Sequence, residues 1–114
     1  MLRVITCNTN GIRAAQRKGF FDWLAEQDAD VVCIQETKAQ EHQLTDDAFR
    51  PKGYHCFYND AERKGYSGTA LYSKEEPSAI QTKVGWEPVD SEGRYLRADF
   101  DNHSVVSLYV PSGS

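Results

Sequence analysis

Two apolar, strand-like runs each end in a polar cluster, and a helical pattern lies between them. The first run, Leu2-Arg3-Val4-Ile5-Thr6-Cys7, ends in Asn8-Thr9-Asn10-Gly11. The second, Val31-Val32-Cys33-Ile34, ends in Gln35-Glu36-Thr37-Lys38. Between them Ile12, Ala15, Gly19, Phe20, Trp23 and Leu24 recur at helical spacing and predict a helix over Ile12 to Gln27. Strand, crossover helix and second strand make a βαβ unit, and the carboxyl ends of its parallel strands open onto one crevice. Asn8, Asn10, Glu36 and Lys38 are therefore expected to converge. One carboxylate among side-chain amides and an ammonium suits a hard divalent cation and a phosphate, which prefer oxygen ligands and hydrogen-bond donors of this kind.

Beyond Lys38 the pattern changes. Ala39 to Arg50 is polar and predicts at most a short helix around Glu41 to Ala48. Gly53 to Tyr58 and Gly68 to Ser73 read as strands separated by a charged turn over Asn59 to Gly65. Ala79 to Val84 reads as a strand, and Gly85 to Gly93 as a long acidic loop. Arg94 to Phe100 and Ser104 to Val110, joined through Asp101-Asn102-His103, predict a hairpin. In its second strand Val105, Val106, Leu108 and Val110 cannot all point to one side of a pleated sheet, so both faces are expected to want cover. Helix is concentrated early and strands late. There are no internal repeats and no low-complexity segment.

At 114 residues the chain is one domain at most, with little margin of core over surface. The net charge of −4 argues against a generic polyanion binder but leaves room for a local basic rim. Cys7, Cys33 and Cys56 are odd in number and lack paired spacing, which favours a reducing, cytoplasmic setting. No signal peptide is expected, and no apolar run approaches the roughly 20 residues needed to cross a bilayer. His42, His55 and His103 have no metal-ligand spacing.

The pattern Asn8-x-Asn10-Gly11-Ile12-Arg13, followed by Ile34-Gln35-Glu36-Thr37-Lys38, resembles the exonuclease III class of abasic-site endonucleases, within the endonuclease/exonuclease/phosphatase superfamily. Gly65-Tyr66-Ser67-Gly68-Thr69-Ala70-Leu71-Tyr72-Ser73 and Ser107-Leu108-Tyr109-Val110-Pro111-Ser112-Gly113 are similar to two further segments of that family, in the expected order. The family's later Asp-x-Asn and Asp-His motifs have no counterpart here. The resemblance therefore implies an α/β chain, the N-terminal portion of a four-layer α/β sandwich of the DNase I-like type. It implies that residues 1–114 are the first part of one such domain, apparently incomplete.

The resemblance also implies roles. Glu36 would be the metal ligand for Mg²⁺ or Mn²⁺, with Asn8 positioning the site and its metal-bound water. Tyr109 would face the scissile phosphate, donating its hydroxyl or acting as a phenolate if its pKa were lowered. Lys38, two residues after Glu36, would tune the carboxylate. Asn10 is either a helix cap or a support behind the metal ligands. Arg13 and the loop bearing Lys64, Tyr66 and Ser67 would contact the DNA backbone, positioning a duplex without reading its sequence. The implied activity is cleavage of double-stranded DNA at an abasic site or at a 3′ end, with this chain carrying part of the active site. The alternatives are a catalytically inactive, RNA-level regulatory protein of the same fold, which tends to lack the carboxylate at Glu36, and a sister branch acting on phosphoinositides or sphingolipids.

Overall fold

The fold, seen in a computed structural model that describes residues 1–111, rests on two sheets. Ser112 and Gly113 of the terminal motif lie outside the described residues. In chain order the elements are β1 (Val4–Asn8), α1 (Ile12–Arg17), α2 (Phe20–Ala25), β2 (Val31–Gln35), two 3-10 turns (Glu41–Gln43 and Asp47–Phe49), β3 (His55–Asn59), β4 (Thr69–Ser73), β5 (Ala79–Gln81), α3 (Glu87–Asp90), β6 (Tyr95–Asp99) and β7 (Ser104–Leu108). The first sheet has the order β1-β2-β4-β3 and the second β5-β6-β7. As the βαβ pattern requires, β1 and β2 are parallel, in register from Val4↔Val31 to Asn8↔Gln35. The predicted hairpin is formed by β6 and β7, closed by Phe100 N–H donating to His103 O at 2.8 Å.

The layers follow from the two central strands. Every residue of β2 and β4 is buried, so their alternate side chains must serve two cores. Val32, Ile34, Ala70 and Tyr72 pack toward the helices with Ile12, Leu24 and Leu44. Val31, Cys33 and Leu71 face the second sheet with Leu96, Ala98 and Phe100. Each such aliphatic side chain, fully buried, contributes roughly 1.5–3 kcal/mol. The result is three layers, helices on sheet on sheet. The outer face of the second sheet is open: Val106, Leu108 and Val110 are 41%, 50% and 72% exposed, while Ser107 turns inward.

Several boundaries differ from expectation for identifiable reasons. The single helix over Ile12 to Gln27 is two, because Gly19 takes a left-handed φ of +91° that ends the first and starts the second. The apolar stripe survives the break, since Ile12 and Leu24 still meet in one core. The segment around Glu41 to Ala48 forms two separate turns, the second capped by Asp46, whose carboxylate accepts from Ala48 N–H at 2.9 Å. The strand expected to run to Val84 stops at Gln81. Within the acidic loop Pro88 sits in the first turn of α3, and Asp90 accepts from Val84 and Gly85 N–H at 2.8 and 3.1 Å. Among the described residues no helix is long and apolar enough to cross a membrane.

Candidate active site

The site forms where the parallel ladder runs on past the ends of β1 and β2. Thr9, Gly11 and Ile12 donate their N–H groups to Gln35, Glu36 and Thr37 carbonyls at 3.0, 2.8 and 2.9 Å. On the opposite side, Thr37 and Lys38 N–H donate to Gly68 and Ser67 carbonyls at 3.2 and 2.8 Å. The segment Glu36-Thr37-Lys38 is thus clasped between the loop entering α1 and the loop entering β4. Its backbone is unusual. Five described non-glycine residues have positive φ, and four of them lie here: Asn10 (+47°), Glu36 (+53°), Lys38 (+50°) and Ser67 (+50°). Left-handed backbone at a non-glycine residue costs of order 1–3 kcal/mol, persists only where the surroundings fix it, and clusters at functional sites.

The side chains close a ring. Asn8 Nδ2 donates to Glu36 Oε1 at 2.8 Å, and Asn8 Oδ1 accepts from Asn10 N–H at 3.0 Å. Lys38 Nζ donates to Asn10 Oδ1 at 2.6 Å and stands 3.5 Å from Glu36 Oε2. The four residues expected to converge do so. Asn10 does not cap the helix: Gly11 is the N-cap residue, without a side-chain hydrogen bond, and the Asn10 amide oxygen is occupied by the lysine. Tyr109 leaves β7 with its N–H bonded to Arg94 O at 2.9 Å. Burial first, then the Glu36 charge and a hydrogen bond to Glu36, hold its hydroxyl above the usual tyrosine pKa. The neutral hydroxyl is therefore the favoured form in this state, not a phenolate.

The Glu36 side chain is 21% exposed, enough for one face of the carboxylate to meet solvent. Among the described residues no group of three His, Cys, Asp or Glu side chains stands together, so they build no closed cage. A hard ion that keeps most of its water needs only one or two carboxylates, and Glu36, oriented by the Asn8 amide, fits that need.

The basic residues lie next door. Arg13 Nη2 donates to Lys38 O at 3.2 Å. Arg13, Arg17, Lys38 and Gly65 line an open groove of about 340 Å³ whose lining has no acidic residue. Lys64 is exposed, and the Arg63 guanidinium lies 5.3 Å over the Tyr66 ring, whose hydroxyl donates to Glu92 Oε1 at 3.4 Å. Ser67 is different: it is 2% exposed, its hydroxyl has no partner, and its carbonyl holds Lys38. Its side chain belongs to the wall of the site, not to the surface that could meet a nucleic acid. Of the histidines, His42 and His55 are exposed and His103 stacks on Phe100 with ring centroids 5.0 Å apart.

Sequence reasoning overlooked the supports. Thr6, Gln35 and Ser107 form a hydrogen-bonded chain beneath the site, and Gly68 presses on Thr37 between Glu36 and Lys38. The signal was present as polar residues interrupting apolar strands one or two positions before Asn8, Glu36 and Tyr109.

Comparison with known proteins agrees with this geometry. The chain is 43% identical over 112 residues to an exodeoxyribonuclease of Bacillus subtilis, covering 97% of this chain and 43% of that protein. It is 32% identical to a DNA-(apurinic or apyrimidinic site) endonuclease of Dictyostelium discoideum, covering 97% of this chain and 30% of that one. The structure of an AP endonuclease from Archaeoglobus fulgidus superposes with a TM-score of 0.83 at 34% identity, over 97% of this chain and 42% of that chain. The chain thus spans less than half the length of these relatives. The fold is that of the AP endonucleases, an α/β architecture of the DNase I-like type. With residues 5–112 matching the family's sequence pattern, the chain belongs to the Endonuclease/Exonuclease/phosphatase family.

Proposed function

We propose that the protein containing this chain is a metal-dependent DNA phosphodiester hydrolase of base excision repair, acting as an abasic-site endonuclease and 3′-exonuclease. The observation that carries the reading is the ring of Asn8, Glu36, Lys38 and Asn10 at the strand ends, beside Tyr109 and a cationic groove. The names of its relatives support it. Because the chain spans less than half of them, we propose that it is the first part of the domain and supplies part of the active site.

In this reading Glu36 would hold Mg²⁺ or Mn²⁺, with Asn8 beside it. When bound, the ion would offset negative charge on the phosphate and on the leaving oxygen. The chain's own residues do the rest. Asn8 orients the Glu36 carboxylate through its 2.8 Å bond. Asn10 fixes the Lys38 ammonium, which adds a positive charge near the phosphate without displacing the carboxylate. Tyr109, protonated, donates a hydrogen bond to a phosphate oxygen. Arg13, Lys64 and Tyr66 receive the backbone of double-stranded DNA bearing an abasic site or a 3′ end. The three free thiols are consistent with a reducing, cytoplasmic setting.

The test is a titration with Mn²⁺ and an incision assay on abasic duplex, using the native product that contains this chain. Glu36→Ala is expected to remove most of the ion affinity and to abolish incision. Unchanged Mn²⁺ affinity in that variant would sink the assignment.

A further inference from the structure

Resting on the reading of Glu36, Asn8 and Tyr109 as one site, we infer that Gln35 and Ser107 are its positioning residues: a single buried amide–hydroxyl clamp that sets the Glu36–Tyr109 separation across the two sheets. The connections are specific. Gln35 Nε2 donates to Thr6 Oγ1 at 3.0 Å and to Ser107 Oγ at 3.2 Å. Thr6 Oγ1 lies 3.3 Å from Gln35 Oε1, and Ser107 Oγ donates to Ile34 O at 3.1 Å. Ser107 is fully buried and Gln35 is 8% exposed. One side chain of β2 therefore ties β1 within its own sheet and β7 in the other sheet.

The chain positions give this clamp its meaning. Thr6 stands two residues before Asn8, on the same face of β1; Gln35 stands immediately before Glu36; Ser107 stands two residues before Tyr109. Each strand that delivers a site residue is held one or two residues behind it. The other directional bonds between the sheets lie elsewhere, Asn59 Nδ2 donating to Thr82 O and Tyr95 O at 3.1 and 2.7 Å and Thr69 Oγ1 to Gly93 O at 3.0 Å, and beside the clamp the core of Val31, Cys33, Leu71, Leu96 and Ala98 adds only the weak Cys33 Sγ–H bond to Val106 O at 3.8 Å. Apolar attraction is itself non-directional, so it specifies a register only through the fit of side-chain shapes. A buried hydrogen bond tolerates little, because a donor or acceptor left unpaired loses its solvation without recompense. Sliding β7 along β2 would take the buried Ser107 hydroxyl from both of its partners, Gln35 Nε2 and Ile34 O. The clamp thus makes the facing of Tyr109 toward Glu36 the register that the fold must keep.

The experiment is nuclear Overhauser measurement between the Tyr109 ring and the Glu36 side chain in the isotope-labelled native product that contains this chain. It is paired with incision of abasic duplex by the native product containing the chain. Ser107→Ala, and separately Gln35→Met, are expected to abolish the Tyr109–Glu36 cross-peaks while the core cross-peaks of Leu71 and Leu96 remain. Ser107→Thr, which keeps the hydroxyl, is expected to restore them. In the native product, Ser107→Ala is expected to lower kcat at least tenfold with KM for DNA little changed. That loss is expected to disappear in a Tyr109→Phe background, where there is no hydroxyl left to place. Cross-peaks that survive both substitutions would overturn the inference. An undiminished effect of Ser107→Ala in the Tyr109→Phe background would overturn it as well. Loss of the cross-peaks with unchanged incision would support the clamp and overturn the reading of Tyr109 and Glu36 as working groups.

Discussion

Gly68→Ala should be far more damaging than one methyl group suggests, and the cost can be worked from the structure. Gly68 has φ +88°, in the left-handed region, where a Cβ costs roughly 1–2 kcal/mol. That Cβ would also stand 2.2 Å from Thr37 Oγ1 and 3.5 Å from Thr37 Cβ. Thr37 is 1% exposed and β-branched, so it has few rotamers into which to retreat. Overpacking of a buried site typically costs ~1–3 kcal/mol. The sum is about 2–5 kcal/mol, a large share of the stability of any small domain. Thr37 links Glu36 to Lys38, so relief by backbone movement would distort the ring that those two residues share with the asparagines. Urea denaturation and Mn²⁺ titration should therefore both register the change. Thr37→Ala removes the opposing oxygen. In that background Gly68→Ala should cost only the backbone share, about 1–2 kcal/mol, giving a coupling of about 1–3 kcal/mol between the two positions. If Gly68→Ala unfolds at the wild-type urea midpoint, or costs the same with and without the Thr37 side chain, the close-approach argument is wrong.

Three further outcomes follow from other parts of the molecule. Arg13→Ala and Lys64→Ala should each weaken duplex binding by the native product and flatten its salt dependence by about one unit of slope, since each would release about one counterion fewer; an unchanged slope would turn that surface away from DNA. Val106 and Leu108 stand outward on β7, so the 114-residue chain should self-associate in size-exclusion chromatography, and Val106→Lys with Leu108→Lys should shift it toward the monomer. Burial pushes the thiols of Cys33 and Cys56 up from 9.0 to about 11, so the unfolded chain loses those protons first. Stability should be full below about pH 9 and fall by ~1.4 kcal/mol per pH unit for each thiol as the pH rises toward 11, with Cys56→Ser reducing the slope in alkaline urea melts.

The βαβ unit was legible because two signals coincided: apolar runs long enough for strands and a helical period between them. That topology alone carried Asn8, Asn10, Glu36 and Lys38 to one place. What stayed hidden was hidden for physical reasons. Gly19 counted as one more position of an apolar stripe, and only its left-handed backbone shows it to be a break. Asn10 before a helix has the residue type of a cap, but the ammonium of Lys38 competes for its oxygen and wins. Gln35 and Ser107 read as strand polarity, because a hydrogen bond between two sheets joins residues 72 positions apart and leaves no periodic trace. Ser67 shares a loop with exposed Lys64 and Tyr66, yet turns inward, and nothing in its neighbours' composition distinguishes it from them.

The depth of β2 within the molecule has a consequence for motion. Its backbone is paired on both sides and covered on both faces, whereas β1 and β7 each stand at the edge of their sheet as described. Amide hydrogen exchange should therefore be slowest through Val32 to Ile34 and faster along β1 and β7, because edge strands open at lower free energy than central ones. Glu36 follows the slowest of these strands, while Asn8 and Tyr109 follow the faster two. A fluctuation that frees the end of β7 would carry Tyr109 outward and leave the carboxylate where it was. The entrance to the site would then widen and narrow on the tyrosine side, around an anchor at Glu36 that does not move.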